Sequence, residues 1–101
     1  MSESELTLTV SENGQVGLVG DISHQSVLNV LSEDILPSKS QITVDFSGVN
    51  HSDSSGLALM VRWARQAQKV NAEISFIAVP AKLIALSKMS GLDAILPISA
   101  E

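Results

Sequence analysis

Two short alternations of apolar and polar residues open the chain. Residues 6–10 read LTLTV, and residues 15–19, QVGLV, resume the alternation after the turn-forming sequence ENG. A period of two places successive side chains on opposite faces of a strand, so each stretch is typical of a half-buried strand. The pattern therefore predicts a β-hairpin.

Apolar residues at helical spacing follow the predicted hairpin. Asp21 and Ser23 are candidate N-terminal caps of a first helix, and Pro37 ends its apolar pattern. The apolar positions at helical spacing are Val27, Leu28, Leu31, Ile35 and Leu36.

Strands and helices then alternate. The predicted elements are a strand over residues 41–47, a helix over 54–70, a strand over 72–79, a helix that begins near Pro80 and stops at Gly91, and a last short strand over 95–98. The order predicts a single α/β domain over residues 1–101, with a mixed central sheet covered by helices. In such sheets functional groups gather where strands end and helices begin, which directs attention to residues 49–60, VNHSDSSGLALM.

Composition narrows the function. The 101 residues carry a net charge of −5, which disfavours general nucleic-acid binding, and the absence of Cys excludes disulfides, Cys-ligated zinc and thiol catalysis. The first residues, MSESELTLTV, are acidic where a signal peptide would be basic, and no apolar run is long enough to cross a bilayer. The expected location is the cytoplasm.

The residues of the 49–60 segment do not favour catalysis. His51, Asp53 and a neighbouring Ser suggest a hydrolase, but adjacent residues on one tight turn rarely align as nucleophile, base and orienting acid. The Gly-x-Ser-x-Gly elbow is also missing. Nucleotide binding is disfavoured because Asp53 stands where an anion would bind and no Walker lysine follows. Two distant His residues make a poor metal site, so no catalytic residue, metal or cofactor is expected.

The remaining hypothesis is that residues 49–60 contact another protein. Serine hydroxyls beside a carboxylate at a helix start suit such a contact, and they also suit phosphorylation. A phosphate beside Asp53 would repel an acidic partner surface and block a close fit, so the modification would act as a switch on binding. The alternative is that Asp53 or Ser54 only caps the helix.

Two segments resemble the landmarks of STAS domains, the fold of anti-sigma-factor antagonists. Residues 42–60, ITVDFSGVNHSDSSGLALM, resemble the family signature, in which a strand ends in Asp and a polar residue and Asp-Ser-Ser-Gly-Leu then opens a helix. Residues 18–23, LVGDIS, resemble the landmark before the first helix. The resemblance extends over nearly the whole chain, since length and element order also agree, and it implies the STAS fold.

The resemblance also implies site residues. The hydroxyl that is modified in phosphorylated members corresponds to Ser54, beside Asp53, and Asp21 matches the acidic landmark. The motif is completed by Ser55, Gly56 and Leu57.

Two positions differ from the phosphorylated antagonists, which usually have Asp at the position of Ser23 and often have Gly at the position of Ala58. The GLALM continuation and the SGLDAILP ending instead resemble the small STAS subunits of phospholipid ABC transporters of Gram-negative bacteria. That branch implies a non-enzymatic subunit that binds the transporter ATPase, in a complex with the permease, and supports maintenance of outer-membrane lipid asymmetry. It would lie at the inner membrane through its partner. The alternative is an anti-sigma-factor antagonist regulated by phosphorylation of Ser54.

The second predicted helix has three stripes. At 100° per residue, the core face is predicted to contain Leu57, Met60, Val61, Ala64 and Ala67. A second apolar stripe with Leu59, Trp63 and Val70 is either a partner surface or part of a wide buried face. A basic stripe of Arg62, Arg65 and Lys69 either steers docking onto an acidic patch or is a solvated face. The expected partner-binding residues are Asp53, Ser54, Ser55, Gly56, Leu59, Arg62 and Trp63.

Overall fold

Four strands and three helices alternate in the predicted order. The computed structural model describes residues 6–11, 13–31 and 40–98, and the side chains of all of these except 29–31. The elements are β1 Leu6–Val10, β2 Gln15–Ile22, α1 His24–Leu31, β3 Gln41–Ser52, α2 Ser55–Lys69, β4 Glu73–Ile77, α3 Ala81–Met89 and a short 3-10 helix, Leu92–Ala94. The predicted hairpin, the α/β class and the three helices are confirmed.

The sheet is mixed, with strand order β1-β2-β3-β4. The hairpin strands β1 and β2 are antiparallel, whereas β2, β3 and β4 are parallel to one another. Val16, Val44 and Phe76 lie side by side in one row across the three parallel strands, and each is completely buried. The next row on the opposite face passes through Asp45 and Ile77, which are only half-buried. The core therefore lies on one face of the sheet, beneath the helices.

Aromatic side chains fill the centre of this core. Phe46 and Phe76 pack edge to face with ring centroids 6.1 Å apart. Trp63 of α2 belongs to the same core cluster and is 1% exposed. Burial of side chains of this size contributes about 1.5–3 kcal/mol each. The aromatic residues are therefore part of what holds α2 on the sheet.

The parallel strands bring three helix N-termini to one edge of the sheet. Each of β2, β3 and β4 is followed by a helix, so α1, α2 and α3 all begin at this edge. β3 continues to Ser52, well past the predicted end at residue 47, and its register with β2 shifts at two places. The strand consequently runs directly into the start of α2.

Two predictions about element ends need correction. The strand predicted over residues 95–98 is wrong, because only Ile98 forms a bridge, to Phe76, and Pro97 has no N–H with which to continue a ladder. In α1, Val27 is buried as predicted but Leu28 is 50% exposed, so it does not belong to the core. Ile35, Leu36 and Pro37 lie outside the described residues.

Candidate protein-binding site

Ser54 presents its side chain at the beginning of α2. It occupies the N-cap position with φ −66° and ψ −12°, and its hydroxyl makes no capping hydrogen bond. Its backbone carbonyl accepts a hydrogen bond from the N–H of Leu57 at 3.1 Å, which fixes the backbone at this point. The side chain is exposed, so a hydroxyl on a well-defined backbone faces outward.

Asp53 supplies the capping that Ser54 does not. Its Oδ1 accepts a hydrogen bond from the N–H of Ser55, the first residue of α2, at 2.8 Å. Its Oδ2 accepts one from the N–H of His24, the first residue of α1, at 3.2 Å. Its own N–H donates to the carbonyl of Ile22 at the end of β2, at 2.9 Å. One residue therefore ties together the end of β2 and the starts of two helices.

The same contacts set the charge of Asp53. Partial burial opposes ionisation of the carboxyl, but the hydrogen bonds from the backbone and hydroxyl of Ser55 and from the backbone of His24 favour the carboxylate. The nearby His24 side chain adds a favourable electrostatic contribution. The favourable contributions outweigh the effect of burial, so the pKa of Asp53 lies below its ordinary value of 3.8. Asp53 is therefore ionised at neutral pH, which suits its position at two positive helix ends.

The start of α1 is closed by two serines. The N–H of Ser26 donates to Ser23 Oγ at 3.2 Å, and the N–H of Ser23 donates to Ser26 Oγ at 2.9 Å. This reciprocal pair is a capping box and confirms Ser23 as a cap. The prediction that Asp21 also caps this helix is wrong, because Asp21 is part of β2 and is paired in register with His51 of β3.

Gly56 serves the packing of two helices. It is buried, and a Cβ atom at this position would lie 2.7 Å from Cδ1 of Leu83 in α3. Real Cβ atoms do not approach other atoms this closely, so glycine permits the observed distance between α2 and α3. The sequence predicts Gly56 in the contact surface, but the residue lies in the interior, beneath that surface.

Two of the three residues of the predicted second apolar stripe are not at the surface, whereas the third, Val70, follows the end of α2 and is 70% exposed. Leu59 is 0% exposed and Trp63 is 1% exposed, so neither can touch a partner while the domain stays folded. The alternative of a wide buried face is confirmed for Trp63. The buried residues of α2 are Gly56, Leu59, Met60, Trp63 and Ala67. Of the predicted core face, Leu57, Val61 and Ala64 are only half-buried.

Basic side chains follow the site along α2. Arg62, Arg65 and Lys69 are exposed, and α2 contains no Asp or Glu. Arg62 lies two turns from the helix start, on the side away from the core. Of the expected binding residues, Asp53, Ser54, Ser55 and Arg62 thus retain some surface exposure.

The site does not form the hydrolase arrangement considered from the sequence. Within residues 6–11, 13–31 and 40–98, no recorded hydrogen bond joins an imidazole to the hydroxyl of Ser54 or Ser55, and His24 and His51 are exposed. The same described residues contain no cluster of three metal-ligating side chains.

None of the helices in the described part of the chain has the length and apolar character needed to span a bilayer.

The backbone N–H of His24 is the site group that sequence reasoning missed. Its sequence separation from Asp53 is 29 residues, and only the parallel pairing of β2 with β3 brings the two together. The Ser23-x-x-Ser26 spacing was a usable signal, because it resembles a capping box and marks His24 as the first helical residue.

Solved structures show what the fold is similar to. An anti-sigma factor antagonist, SpoIIAA, in its unphosphorylated form matches with a TM-score of 0.69 and 18% identity, over 95% of this chain and 89% of that one. An anti-sigma factor antagonist from Mycobacterium paratuberculosis matches with a TM-score of 0.65 and 20% identity, over 96% and 87%. At such identities the likeness shows the fold alone. No curated protein sequence matches at a significant level.

Sequence comparison supplies the family. A family model described as "Mlab, STAS domain" matches residues 7–97, which include β2, β3, β4, all of β1 except Leu6, the three helices and the site around Asp53 and Ser54. The fold, the landmark segments and this match agree, and the chain belongs to the STAS domain family, in which it is most like the MlaB type.

Proposed function

We propose that this STAS domain is a non-enzymatic subunit that binds the cytoplasmic ATPase of a phospholipid ABC transporter and supports its assembly and activity. The observation that carries the proposal is the exposed Ser54 hydroxyl on a helix start that Asp53 holds in place. The MlaB-type family match supports the choice of partner. The domain would then lie at the inner membrane through the ATPase and its permease, and contribute to outer-membrane lipid asymmetry.

The contact surface is the start of α2 and the exposed residues next to it. Ser54 supplies a hydroxyl that can donate and accept hydrogen bonds. The half-buried Ser55 hydroxyl donates to Asp53 and can still accept a hydrogen bond. Asp53 has both carboxylate oxygens engaged in the domain, so its main part in binding is to fix the surface in one conformation. Preorganisation of this kind lowers the entropic cost of association. Arg62 extends the surface along the helix with a positive charge.

A second candidate is an anti-sigma-factor antagonist that phosphorylation of Ser54 switches off. The exposed, uncapped hydroxyl favours it, because a kinase must reach the serine oxygen. A phosphate there would add nearly two negative charges next to the ionised Asp53 and would separate partner surfaces that meet at this point. Incubation with ATP and a cognate kinase tests this candidate, and an unchanged mass would count against it.

Affinity purification separates the two partners. The tagged protein is recovered from detergent-solubilised membranes of its own source, and bound proteins are identified by mass spectrometry. Recovery of an ABC ATPase together with its permease is the expected result. Recovery of a soluble ATP-binding kinase or an anti-sigma factor in their place would contradict the transporter proposal and support the second candidate. The Ser54→Glu variant is the matched control, since it should lose the partner that binds at this surface.

A further inference from the structure

Two adjoining grooves run along α2, on the side that faces the 3-10 helix. Their volumes are about 630 Å³ and 650 Å³, and both are lined by Val61, Arg65 and Leu92. Because they share these three residues, the two grooves form one continuous concave surface, called here the α2 groove. It does not include Asp53, Ser54 or Ser55.

The lining of the α2 groove is largely apolar. Leu57, Val61 and Ala64 of α2 line it and are half-buried. These residues form an apolar arc of α2 next to the arc that is buried in the core. Ile95 lines the groove beyond the 3-10 helix and is 66% exposed. Leu57, Val61 and Ala64 pack against the core on one side and leave the other side exposed. Adjoining apolar surface of this kind, bordered by polar residues, is a candidate surface for a partner.

The rim of the groove is basic. Arg62, Arg65 and Lys69 line it, and these are three of the six basic residues in a chain whose net charge is −5. Because α2 contains no acidic residue, none of the three has an oppositely charged neighbour on its own helix. Glu73 is an acidic residue at the far end of the groove, where its carboxylate accepts a hydrogen bond from the Gln41 side chain. The charge of the rim is therefore complementary to an acidic occupant.

We infer that the α2 groove binds a short amphipathic acidic segment of a partner protein. Apolar side chains of the segment would occupy the groove, and its Asp or Glu residues would face Arg62, Arg65 and Lys69. The distance along α2 from Leu57 to Lys69 is about 18 Å at 1.5 Å per residue. A helix of about three turns or an extended strand of about five residues has this length.

Gln66 adds a polar group at the same place. It lines the groove, and its Oε1 atom is buried with no hydrogen-bond partner in the described part of the chain. An unpaired buried carbonyl is unfavourable. Rotation of this side chain toward the groove would let it accept a hydrogen bond from a main-chain N–H of the bound segment.

Other classes of occupant fit less well. An anionic membrane would attract three cations but repel the acidic remainder of the domain, and lipid-binding patches usually contain four to eight basic residues. Single-stranded nucleic acid needs exposed aromatic rings for stacking, whereas Trp63, Phe46 and Phe76 are buried. An acidic peptide needs neither a large basic surface nor aromatic rings.

A synthetic peptide tests this inference independently of the ATPase proposal. The probe is a labelled peptide of about fourteen residues with Leu and Glu at helical spacing, and its control is a scrambled peptide of the same composition. Binding is measured by fluorescence polarisation and by backbone amide shifts in NMR spectra. We expect micromolar binding of the patterned peptide, with shifts confined to residues 57–69, 73–74 and 92–97, and at least tenfold weaker binding of the scrambled one.

Charge reversal in the groove is the matched test. Arg65→Glu should weaken peptide binding at least tenfold, whereas Lys82→Glu, at the exposed start of α3 outside the groove, should leave it unchanged. Both variants should give the circular dichroism spectrum of the original chain. Lys69→Glu provides a second groove variant in case Arg65→Glu fails to fold.

Several results would overturn the inference. These are no binding of the patterned peptide at millimolar concentration, equal binding of the scrambled peptide, or shifts confined to the start of α2. Preferential binding to vesicles with phosphatidylglycerol, lost in Arg65→Glu, would show a membrane surface instead. Dimerisation of the unliganded protein that Arg65→Glu abolishes would assign the groove to a second copy. Loss of ATPase binding in Ser54→Glu, with peptide binding intact, would leave the inference standing by itself.

Discussion

The carboxylate of Asp53 accepts a hydrogen bond from the backbone N–H of His24 at 3.2 Å, across 29 residues of sequence. Its other oxygen accepts one from Ser55 at 2.8 Å, so a single charged group closes the N-terminal ends of α1 and α2. Helix N-termini carry unpaired N–H groups and a partial positive charge, and both favour a carboxylate. The position of Ser54 at the surface depends on this link.

Removal of the Asp53 carboxylate should destabilise the domain. Asp53→Ala removes the acceptor of the Ser55 N–H at the start of α2 and of the His24 N–H at the start of α1, where the Ser23–Ser26 capping pair remains. Loss of a capping side chain costs about 0.5–2 kcal/mol in free energy of unfolding. Asp53→Asn should cost less, since one amide oxygen can still accept a hydrogen bond. Urea unfolding measures both. Asp93→Ala, at an exposed position in the 3-10 helix, is the control, and a cost for Asp53→Ala no larger than for this control would contradict the capping role.

The contribution of Asp53 should depend on pH. Its pKa in the folded protein lies below its ordinary value, because the hydrogen bonds to Ser55 and His24 outweigh the effect of partial burial. A group of this kind stabilises the folded state above its unfolded pKa, and it loses that effect as the pH falls through the folded pKa. The stability difference between the original chain and Asp53→Asn should therefore be largest near pH 6 and shrink below about pH 4. A difference that stays constant from pH 6 to pH 3 would be inconsistent with a lowered pKa.

The burial of Trp63 can be read from its fluorescence. It is the only Trp in the chain and is 1% exposed. We expect blue-shifted emission and weak quenching by acrylamide until the domain unfolds. Trp63→Ala should cost about 3–5 kcal/mol in stability, through lost burial and a large cavity. Strong acrylamide quenching in the native state would restore Trp63 as a surface residue.

The contact between Gly56 and Leu83 should appear as coupling. In Gly56→Ala the new Cβ would lie 2.7 Å from Leu83 Cδ1, and overpacking of this kind typically costs about 1–3 kcal/mol. Alanine would otherwise be favoured in a helix by about 1 kcal/mol, so the net cost is expected to be modest. In a Leu83→Ala background this close contact is absent and Ser52 Oγ, at 3.1 Å, still lies near the new Cβ, so Gly56→Ala should cost less there than in the original chain. Equal effects in both backgrounds, measured by urea unfolding, would rule out the clash.

The sequence pattern predicts the positions of α2 and of the start of β3, but it does not predict which side of α2 is buried. Apolar residues occur on two arcs of this helix, one with Leu57 and Val61 and one with Leu59 and Trp63. Hydrophobic periodicity alone does not indicate which of the two arcs is buried in the core. The structure buries the arc with Trp63 because the large ring fills the space above the sheet.

The site was predictable only in part. Ser54 and Asp53 could be selected from the sequence, since a polar cluster at a strand-to-helix junction is a local signal. The link from Asp53 to His24 depends on the register of β2 against β3, which two bulges shift. Register of this kind arises from the packing of the entire sheet. The single bridge at Ile98 in place of a full strand is likewise a consequence of long-range pairing with Phe76.

The most direct test of the proposed contact at Ser54 compares the affinity of the purified ATPase for three forms of the domain. They are the original chain, Ser54→Glu, and Ser90→Glu, a control at an exposed position after α3, at the opposite end of the helices from Ser54. Ser54→Glu should bind at least about tenfold more weakly, since charge and bulk are added where the surfaces meet, and Ser90→Glu should bind normally. Both variants should unfold at the same urea concentration as the original chain. Equal affinity of all three forms would contradict the claim that Ser54 lies in the contact.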